Sequence, residues 1–215
     1  MVKRCQTTES FVCPAVVAVA GELGHRCAMS SDSSPDAGSQ YEAALDYLAR
    51  YAATEAGLRR VLERRIDRWM RAQPDAEAAE PVASAARGAI DGVLRRLAEA
   101  GALSDAAFAE IKARTLVQGG RSTRGVQMRL VAKGVTPDVA RQAAATDAET
   151  ELAAALVLAR KRRIGPYRTT QGADAKARTK EMGVLARAGF SRDIAQQALD
   201  VSREDAEARI FELRR

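Results

Sequence analysis

Aromatic residues, histidine and cysteine are all scarce in this chain of 215 residues. Aromatic residues make up 4% of the sequence, there is one histidine, and the three cysteines lie within the first 27 positions without a Cys-x-x-Cys pair. No spacing of these residues matches a zinc site, and a chain otherwise free of cysteine is typical of a reducing compartment. We therefore expect no metal site, no disulfide framework and a cytoplasmic location.

Catalytic motifs are also missing from the sequence. The glycine-containing segment at residues 119–122 has neither the spacing nor the lysine of a phosphate-binding loop. The cysteines have no base partner, and the acidic residues are spread along the chain without a paired arrangement. These absences predict a protein that is not an enzyme and needs no cofactor.

Long hydrophobic runs are absent as well, since no stretch approaches the roughly 18 apolar residues that a membrane-spanning helix needs. Residues 11–20 imitate a secretory signal, but the segment is short and Pro14 interrupts it. Met29 is an alternative start, because the serine-rich stretch after it is typical of a disordered lead-in. We expect a protein without membrane association whose residues 1–40 form a disordered tail.

The net charge of +6 is carried by the rest of the chain. Residues 1–40 have three basic and four acidic residues, a net charge of −1, so the remaining 175 residues carry +7. A basic helical domain is typical of proteins with a polyanionic partner, usually nucleic acid. A surface that only keeps the protein soluble explains the same charge equally well.

Helical periodicity takes over from Tyr41 onward, and no segment alternates like a strand. Two prolines and a cluster of acidic residues predict a loop over residues 73–81. Trp69 falls on an apolar stripe and is expected in the core rather than as a platform for stacking bases. The helix after Gly101 is expected to turn four residues inward: Phe108, Ile111, Thr115 and Leu116.

An internal repeat is the most informative feature of the sequence. Residues 130–144 align with residues 185–199, 55 positions later, and six of the fifteen positions are identical. Each copy has an inward leucine, a glycine that ends the helix, an apolar residue over the turn and a Thr or Ser that caps the next helix. With a looser copy at residues 94–105, the pattern predicts three-helix repeats at 41–101, 104–147 and 149–200, then a C-terminal helix at 201–215. Because such small units must stack to bury their stripes, we expect an all-α fold, an elongated, curved array of three tandem three-helix repeats.

Four segments, taken in order, resemble the RecX family over residues 41–200. They are Ala-Leu-x-Tyr-Leu-Ala-Arg at 44–50, Leu-x-x-Leu-x-x-x-Gly-x-Leu-x-Asp-x-x-Phe-Ala at 94–109, Gly-Arg-x-x-x-Gly-Val-x-x-x-Leu-x-x-Lys-Gly-Val at 120–135, and Arg-x-Gly-Phe-Ser-x-Asp-x-x-x-x-Ala-Leu at 187–199. The resemblance implies a monomer that lies in the groove of the RecA–DNA filament and contacts DNA mainly within that filament. It also implies modulation, mainly inhibition, of recombinase, ATPase and coprotease activities in homologous recombination, DNA repair and the SOS response.

Basic residues of the second and third repeats are the candidate contacts for DNA or RecA. The run at residues 160–163 is the densest, although cations at a helix C-terminus also satisfy its dipole. Arg121 and Arg124 begin a helix, where cations oppose the dipole, and this favours binding. The full candidate set is Arg121, Arg124, Arg129, Lys133, Arg160, Lys161, Arg162, Arg163 and Arg168.

Six further arginines between residues 59 and 71 are interspersed with acidic residues and are more typical of a solvated helix face with i,i+4 pairs. An alternative function is a stand-alone helical regulator that binds nucleic acid and reads duplex with a helix–turn–helix-like unit. Against it, the second helices carry few Asn, Gln or Arg residues arranged for base edges.

Overall fold

The structure is a computed structural model that describes residues 34–169 and 175–215. Within these residues every regular element is helical, which confirms the predicted all-α fold. Ten α-helices and one 3-10 turn, Gly165–Tyr167, are described. The helices are α1 Ala37–Leu48, α2 Glu55–Ala72, α3 Ala76–Glu99, α4 Asp105–Gln118, α5 Thr123–Ala132, α6 Pro137–Ala144, α7 Ala148–Arg162, α8 Ala175–Arg187, α9 Arg192–Asp200 and α10 Arg203–Arg214.

The first helix begins earlier than its apolar stripe suggested. The Asp36 carboxylate accepts a hydrogen bond from the Ser39 N–H at 2.8 Å, so α1 starts at Ala37 and Gln40 is buried. Residues 37–40, which we expected in the disordered tail, therefore belong to the folded part. The rest of that expected tail, including residues 11–20 and Met29, lies almost wholly outside the described residues.

Two compact units divide the chain between Ser104 and Asp105. In the first unit, Leu58, Leu62 and Ile66 of α2 are buried in one core with leucine and isoleucine side chains of α3. Trp69 packs against this core and is partly buried, so its prediction as a core residue is confirmed.

Pro81 lies inside α3, so the predicted loop over residues 73–81 is wrong beyond Asp75. The Asp75 carboxylate accepts hydrogen bonds from the N–H groups of Glu77 and Ala78, both at 3.0 Å, and this cap starts the helix at Ala76, five residues before the proline. Proline inside a helix costs roughly 3 kcal/mol because it lacks an N–H donor. Ala79 and Ala83 are buried on the same face of α3 as its later apolar residues. The burial of this face offsets the cost of the proline.

The inward face of α4 is formed by Ala109, Ala113 and Val117 rather than by the predicted set. Ile111 is 63% exposed and Thr115 is exposed, while Phe108 and Leu116 pack only partly against the core. The predicted inward face of α4 was based on its larger side chains. Small alanines let neighbouring helices approach closely, so they occupy the contact face instead.

The two copies of the internal repeat share one turn geometry in the second unit. Gly134 has φ +97° and Gly189 has φ +93°, and these left-handed values end α5 and α8 as predicted. The N–H of the next residue donates to the carbonyl of Leu130 at 3.1 Å in one copy and of Leu185 at 3.2 Å in the other. Both leucines are fully buried in a core that α4 to α10 share.

We predict that Leu130→Ala and Leu185→Ala each lower the free energy of unfolding by about 2–5 kcal/mol, because each leaves a cavity in this shared core. Urea denaturation followed by circular dichroism measures the loss. Met128→Ala is the matched control, since Met128 lies on the same helix as Leu130 and is 66% exposed. Its effect should stay within about 0.5 kcal/mol. A Leu130→Ala variant as stable as the Met128→Ala variant would contradict the repeat alignment.

Candidate nucleic-acid interface

Charge is divided unequally between the two units. The unit that ends at Ser104 has 13 basic and 14 acidic residues, a net charge of −1, whereas the unit from Asp105 has 21 basic and 14 acidic residues, a net charge of +7. The positive net charge therefore belongs entirely to the second unit. A polyanion is attracted to the side of a molecule where such an excess lies.

Two arginines of the first unit pair with its own carboxylates. Arg59 pairs with Asp91, and Arg87 pairs with both Asp67 and Glu80 at 3.2 Å. Of the six arginines predicted on one face of α2, Arg59 is held in this way, and it also lies 3.6 Å from Glu55 one turn earlier, as expected for an i,i+4 pair.

Arg168, one of the predicted contacts, takes part in an internal ion pair. Its Nε donates to the Glu181 carboxylate at 2.9 Å, and a second guanidinium nitrogen donates to the other oxygen. Glu181 is buried, and its hydrogen bond raises the pKa of Arg168. A carboxylate in this position needs its cation, so Arg168 holds α8 to the segment before it.

Arg160 is engaged in a similar way. It donates to Glu207 of α10 at 2.9 Å. Burial and, to a smaller degree, the Glu207 carboxylate raise the pKa of Tyr167 to about 12, and Arg203 lies 5.7 Å from the centre of the same ring. Arg160 therefore belongs to a network that joins α7, α10 and the 3-10 turn.

A groove with a volume of about 660 Å³ lies where the second and third repeats meet, and we call it the junction groove. Four cations line it, and the rest of its wall is glycine, alanine, valine and leucine. None of the described residues that line it is acidic. The four cations come from different parts of the chain: Arg121, Lys161, Arg162 and Arg187.

The turn between α4 and α5 forms one wall of the junction groove. Gly120 has φ +83°, and a Cβ atom there would stand 2.9 Å from the Leu158 backbone nitrogen. Only glycine lets this turn lie so close to α7. Lys161 reaches across from α7 and donates to the Gly119 carbonyl at 2.7 Å, which fixes the lysine as part of the wall.

The start of α5 is attached to the third repeat by hydrogen bonds. The buried Ser122 hydroxyl donates to the Ala188 carbonyl at 2.6 Å and accepts from the Gly125 N–H at 3.1 Å. The Thr123 N–H donates to a Glu151 carboxylate oxygen at 3.0 Å, and its hydroxyl donates to the same carboxylate. These bonds set the positions of Arg121, which precedes Ser122, and of Arg187, which precedes Ala188.

The structure thus separates the predicted contact residues into groups. Arg121, Lys161 and Arg162 meet in the junction groove, whereas Arg160 and Arg168 are internally paired. The stem of Arg124 lies against Gly189, at the turn between α8 and α9. The other three are exposed and do not line the groove: Arg129, Lys133 and Arg163.

Arg187 is the groove residue that the sequence did not reveal as a contact. It falls within the helix–glycine–apolar pattern of the repeat, and that pattern indicates only how helices pack. Its position in the last turn of α8 offers no local signal, because a cation there also suits the helix dipole. Only the packing of α8 beside the turn at Gly120 places it in one groove with Arg121.

Two other kinds of site receive no support from the described residues. No group of three His, Cys, Asp or Glu side chains among them is placed to hold a metal ion. None of their helices combines the length and the apolar character that a membrane span requires.

Similar proteins carry one common name. The family model described as RecX, second three-helix domain, matches residues 104–143. Regulatory protein RecX of Myxococcus xanthus (strain DK1622) is 41% identical over 160 residues, which are 74% of this chain and 82% of that protein. Regulatory protein RecX of Agrobacterium fabrum is 41% identical over 106 residues, 49% and 56% of the two chains. A crystal structure of RecX from Lactobacillus salivarius covers 80% of this chain and 97% of its own with a TM-score of 0.58 and 20% identity, a likeness of fold.

The division between internally paired and groove arginines predicts different effects on stability. Arg168→Ala should lower the free energy of unfolding by about 1–3 kcal/mol, because it leaves the buried Glu181 without its cation. Arg162→Ala should change it by less than about 0.5 kcal/mol, since Arg162 is exposed. Urea denaturation measures both. The double variant Arg168→Ala with Glu181→Ala should lose less than the two single losses combined. Equal stability of the Arg168→Ala and Arg162→Ala variants would contradict the assignment.

Proposed function

The chain belongs to the RecX family, and from that premise we propose that it binds the RecA–DNA filament and inhibits its recombinase, ATPase and coprotease activities in DNA repair and the SOS response. One observation carries the proposal: the whole positive net charge lies in the unit from Asp105 onward, where the junction groove gathers four cations with no acid among the described residues of its wall. DNA held in a filament is a long, regular array of phosphates. A surface of this kind gains from it through charge-assisted hydrogen bonds.

Inhibition follows from binding to one state of the filament. A ligand shifts an equilibrium only as far as it prefers one conformation. A protein that contacts both DNA and RecA protomers stabilises the arrangement that it spans and opposes the changes that strand exchange and ATP turnover require. Its cations also occupy phosphates that a second DNA molecule would approach.

The cellular setting of the proposal is the cytoplasm, where RecA and its DNA are found. The partners are the RecA filament and the DNA within it, and the protein acts as a monomer without a membrane. Regulation by binding requires no catalytic group of its own.

A stand-alone regulator that reads duplex DNA is the competing function. Such a protein would use the second helix of a repeat to contact base edges in the major groove. The second helix of the second repeat is α5, and the stem of its first arginine, Arg124, lies against Gly189 of the third repeat. This contact with another repeat supports the filament proposal over base reading by that helix.

Comparison of two affinities tests the proposal. The protein is titrated onto RecA–DNA filaments and onto the same DNA without RecA, at one salt concentration, with fluorescence anisotropy as the readout. Much tighter binding to the filament is expected, since RecA surfaces add contacts to those with phosphate. Equal affinities would overturn the filament proposal in favour of a stand-alone DNA-binding protein.

We predict that Arg121→Glu with Arg162→Glu raises the protein concentration for half-inhibition of RecA ATP hydrolysis by at least about tenfold, because charge-assisted contacts to phosphate are lost. A coupled ATPase assay measures the change. The control, Arg64→Glu with Arg68→Glu, makes the same change of charge at exposed positions of α2. This control should inhibit ATP hydrolysis nearly as well as the unaltered protein. If both variants lost inhibition equally, the loss would be due to the change in net charge and not to the groove.

A further inference from the structure

We infer that α10 is an interface between two copies of this chain, which pair antiparallel around a twofold axis at the middle of the helix. The occupant of its outer face is the same helix of a second molecule. The inference goes beyond the proposed function, in which one copy binds the filament, and concerns the free protein at high concentration.

The outer face of α10 carries a stripe of four exposed residues. Ala206 and Ile210 are buried and define the inner face of the helix. Because a helix has about 3.6 residues per turn, steps of four, three and four positions keep to one line on the opposite side. The residues on that line are Glu204, Ala208, Phe211 and the C-cap residue Arg215. The stripe therefore has an acid at one end, a base at the other, and an alanine and an aromatic ring between them.

The aromatic residue of this stripe, Phe211, is 64% exposed. One exposed apolar residue is ordinary on a protein surface. Phe211, however, lines a groove of about 480 Å³ between α7 and α10, together with Ala153, Ala208 and Leu213. An exposed ring beside an open apolar groove is the arrangement found at protein–protein interfaces, where aromatic side chains fill pockets of the partner.

The stripe is complementary to itself when its direction is reversed. In an antiparallel pair centred between positions 209 and 210, Glu204 faces Arg215 of the second copy, and Ala208 faces Phe211 of the second copy. The twofold axis repeats both contacts on its other side. Each acid thus meets a base, and each large ring meets a small side chain, which lets the two surfaces interlock.

The spacing of the stripe also suits a pair of helices. Steps of four, three and four residues are those between the a and d positions of a coiled coil, whose side chains enter holes in the facing helix. Reversing one helix places each a position opposite a d position, as Ala208 and Phe211 require. The groove beside Ala208 gives the ring of the second copy a hole to enter.

The charges at the two ends have a second explanation, which Phe211 does not share. An acid at the start of a helix and a base at its end stabilise the helix dipole. Arg215 also lies 3.6 Å from Glu212 on its own helix, but both side chains are well exposed, so this pair contributes little. The dipole gives no reason to expose a ring at the middle of the helix, whereas pairing accounts for the ring and the charges together.

A helix of a different protein is the alternative occupant. Such a helix would need a site for Phe211 and nothing more, so the remaining positions of the stripe would be free to vary. Placement of matching residues at equal distances on both sides of one point serves only a twofold pair. The symmetry of the stripe therefore favours a second copy of this chain.

Self-association of the full chain is the first test. One helix pair is a small interface, so we expect a weak dimer with Kd on the order of 10–100 μM. Sedimentation equilibrium on either side of that range measures Kd. Phe211→Ala should raise Kd by at least about tenfold, because the ring that fills the groove is lost. The matched control, Met128→Ala, removes a side chain of similar exposure from α5 and should leave Kd unchanged. Circular dichroism checks that both variants fold.

Exchange of charges tests the antiparallel register. Glu204→Arg and Arg215→Glu each place like charges together at both ends of the pair, so each should weaken self-association by about tenfold at low salt. An equimolar mixture of the two variants should dimerise as tightly as the unaltered protein, because every charge at the ends then faces its opposite. Recovery in the mixture also excludes damage to the helix as the cause of the loss.

Three results would overturn the inference: a monomer at the highest concentration, equal Kd values for the Phe211→Ala and Met128→Ala variants, or a mixture of charge variants that stays monomeric. A parallel pair would contradict it as well, since each position would face itself and neither charge variant would weaken the dimer. A monomer whose Phe211→Ala variant no longer inhibits RecA ATP hydrolysis would assign the outer face of α10 to another protein. Sedimentation includes neither RecA nor DNA, so its outcome is independent of the filament titration.

Discussion

The hydrogen bond between the Ser122 hydroxyl and the Ala188 carbonyl sets how the third repeat lies against the second, beside the apolar core that both repeats share. Ser122 is buried, caps α5 through Gly125 and lies against Gly189, whose missing side chain leaves just enough space. Glu151 completes the joint by accepting hydrogen bonds from Thr123. Because cations stand directly beside both ends of the Ser122–Ala188 bond, the contact that joins the repeats also forms the junction groove.

In the second unit, a nearby carboxylate distinguishes the arginines that form ion pairs within the protein from those that line the junction groove. Arg160 and Arg168 belong to the basic part of the sequence as much as Arg162 does, yet they are paired with Glu207 and Glu181. The buried Glu181 shows why such pairs matter, since a carboxylate removed from water needs a cation beside it. Density of positive charge in the sequence is therefore a weaker guide to a binding site than the absence of acids around it.

The two units are suited to different parts in a regulator. The first has a net charge near zero from 13 basic and 14 acidic residues, while the second keeps a surplus of seven positive charges from 21 basic and 14 acidic residues. Long-range attraction to a polyanion is therefore expected of the second unit and hardly of the first. In the complex proposed above, the second unit is the one that meets phosphate.

The sequence by itself determined the helices, the repeat and the burial of Leu130 and Leu185, since these follow from local physics: a 3.6-residue period and glycine's access to positive φ. It also carried the resemblance to RecX, because the ordered segments lie along the chain. Tertiary structure decided which face of α4 is buried, whether α3 continues through Pro81, and which arginines are free to bind. Arg160 and Glu207 are 47 positions apart, and Arg187 lines one groove with Arg121 only because of helix packing. A pattern that describes neighbours along the chain contains no information about partners brought together by the fold.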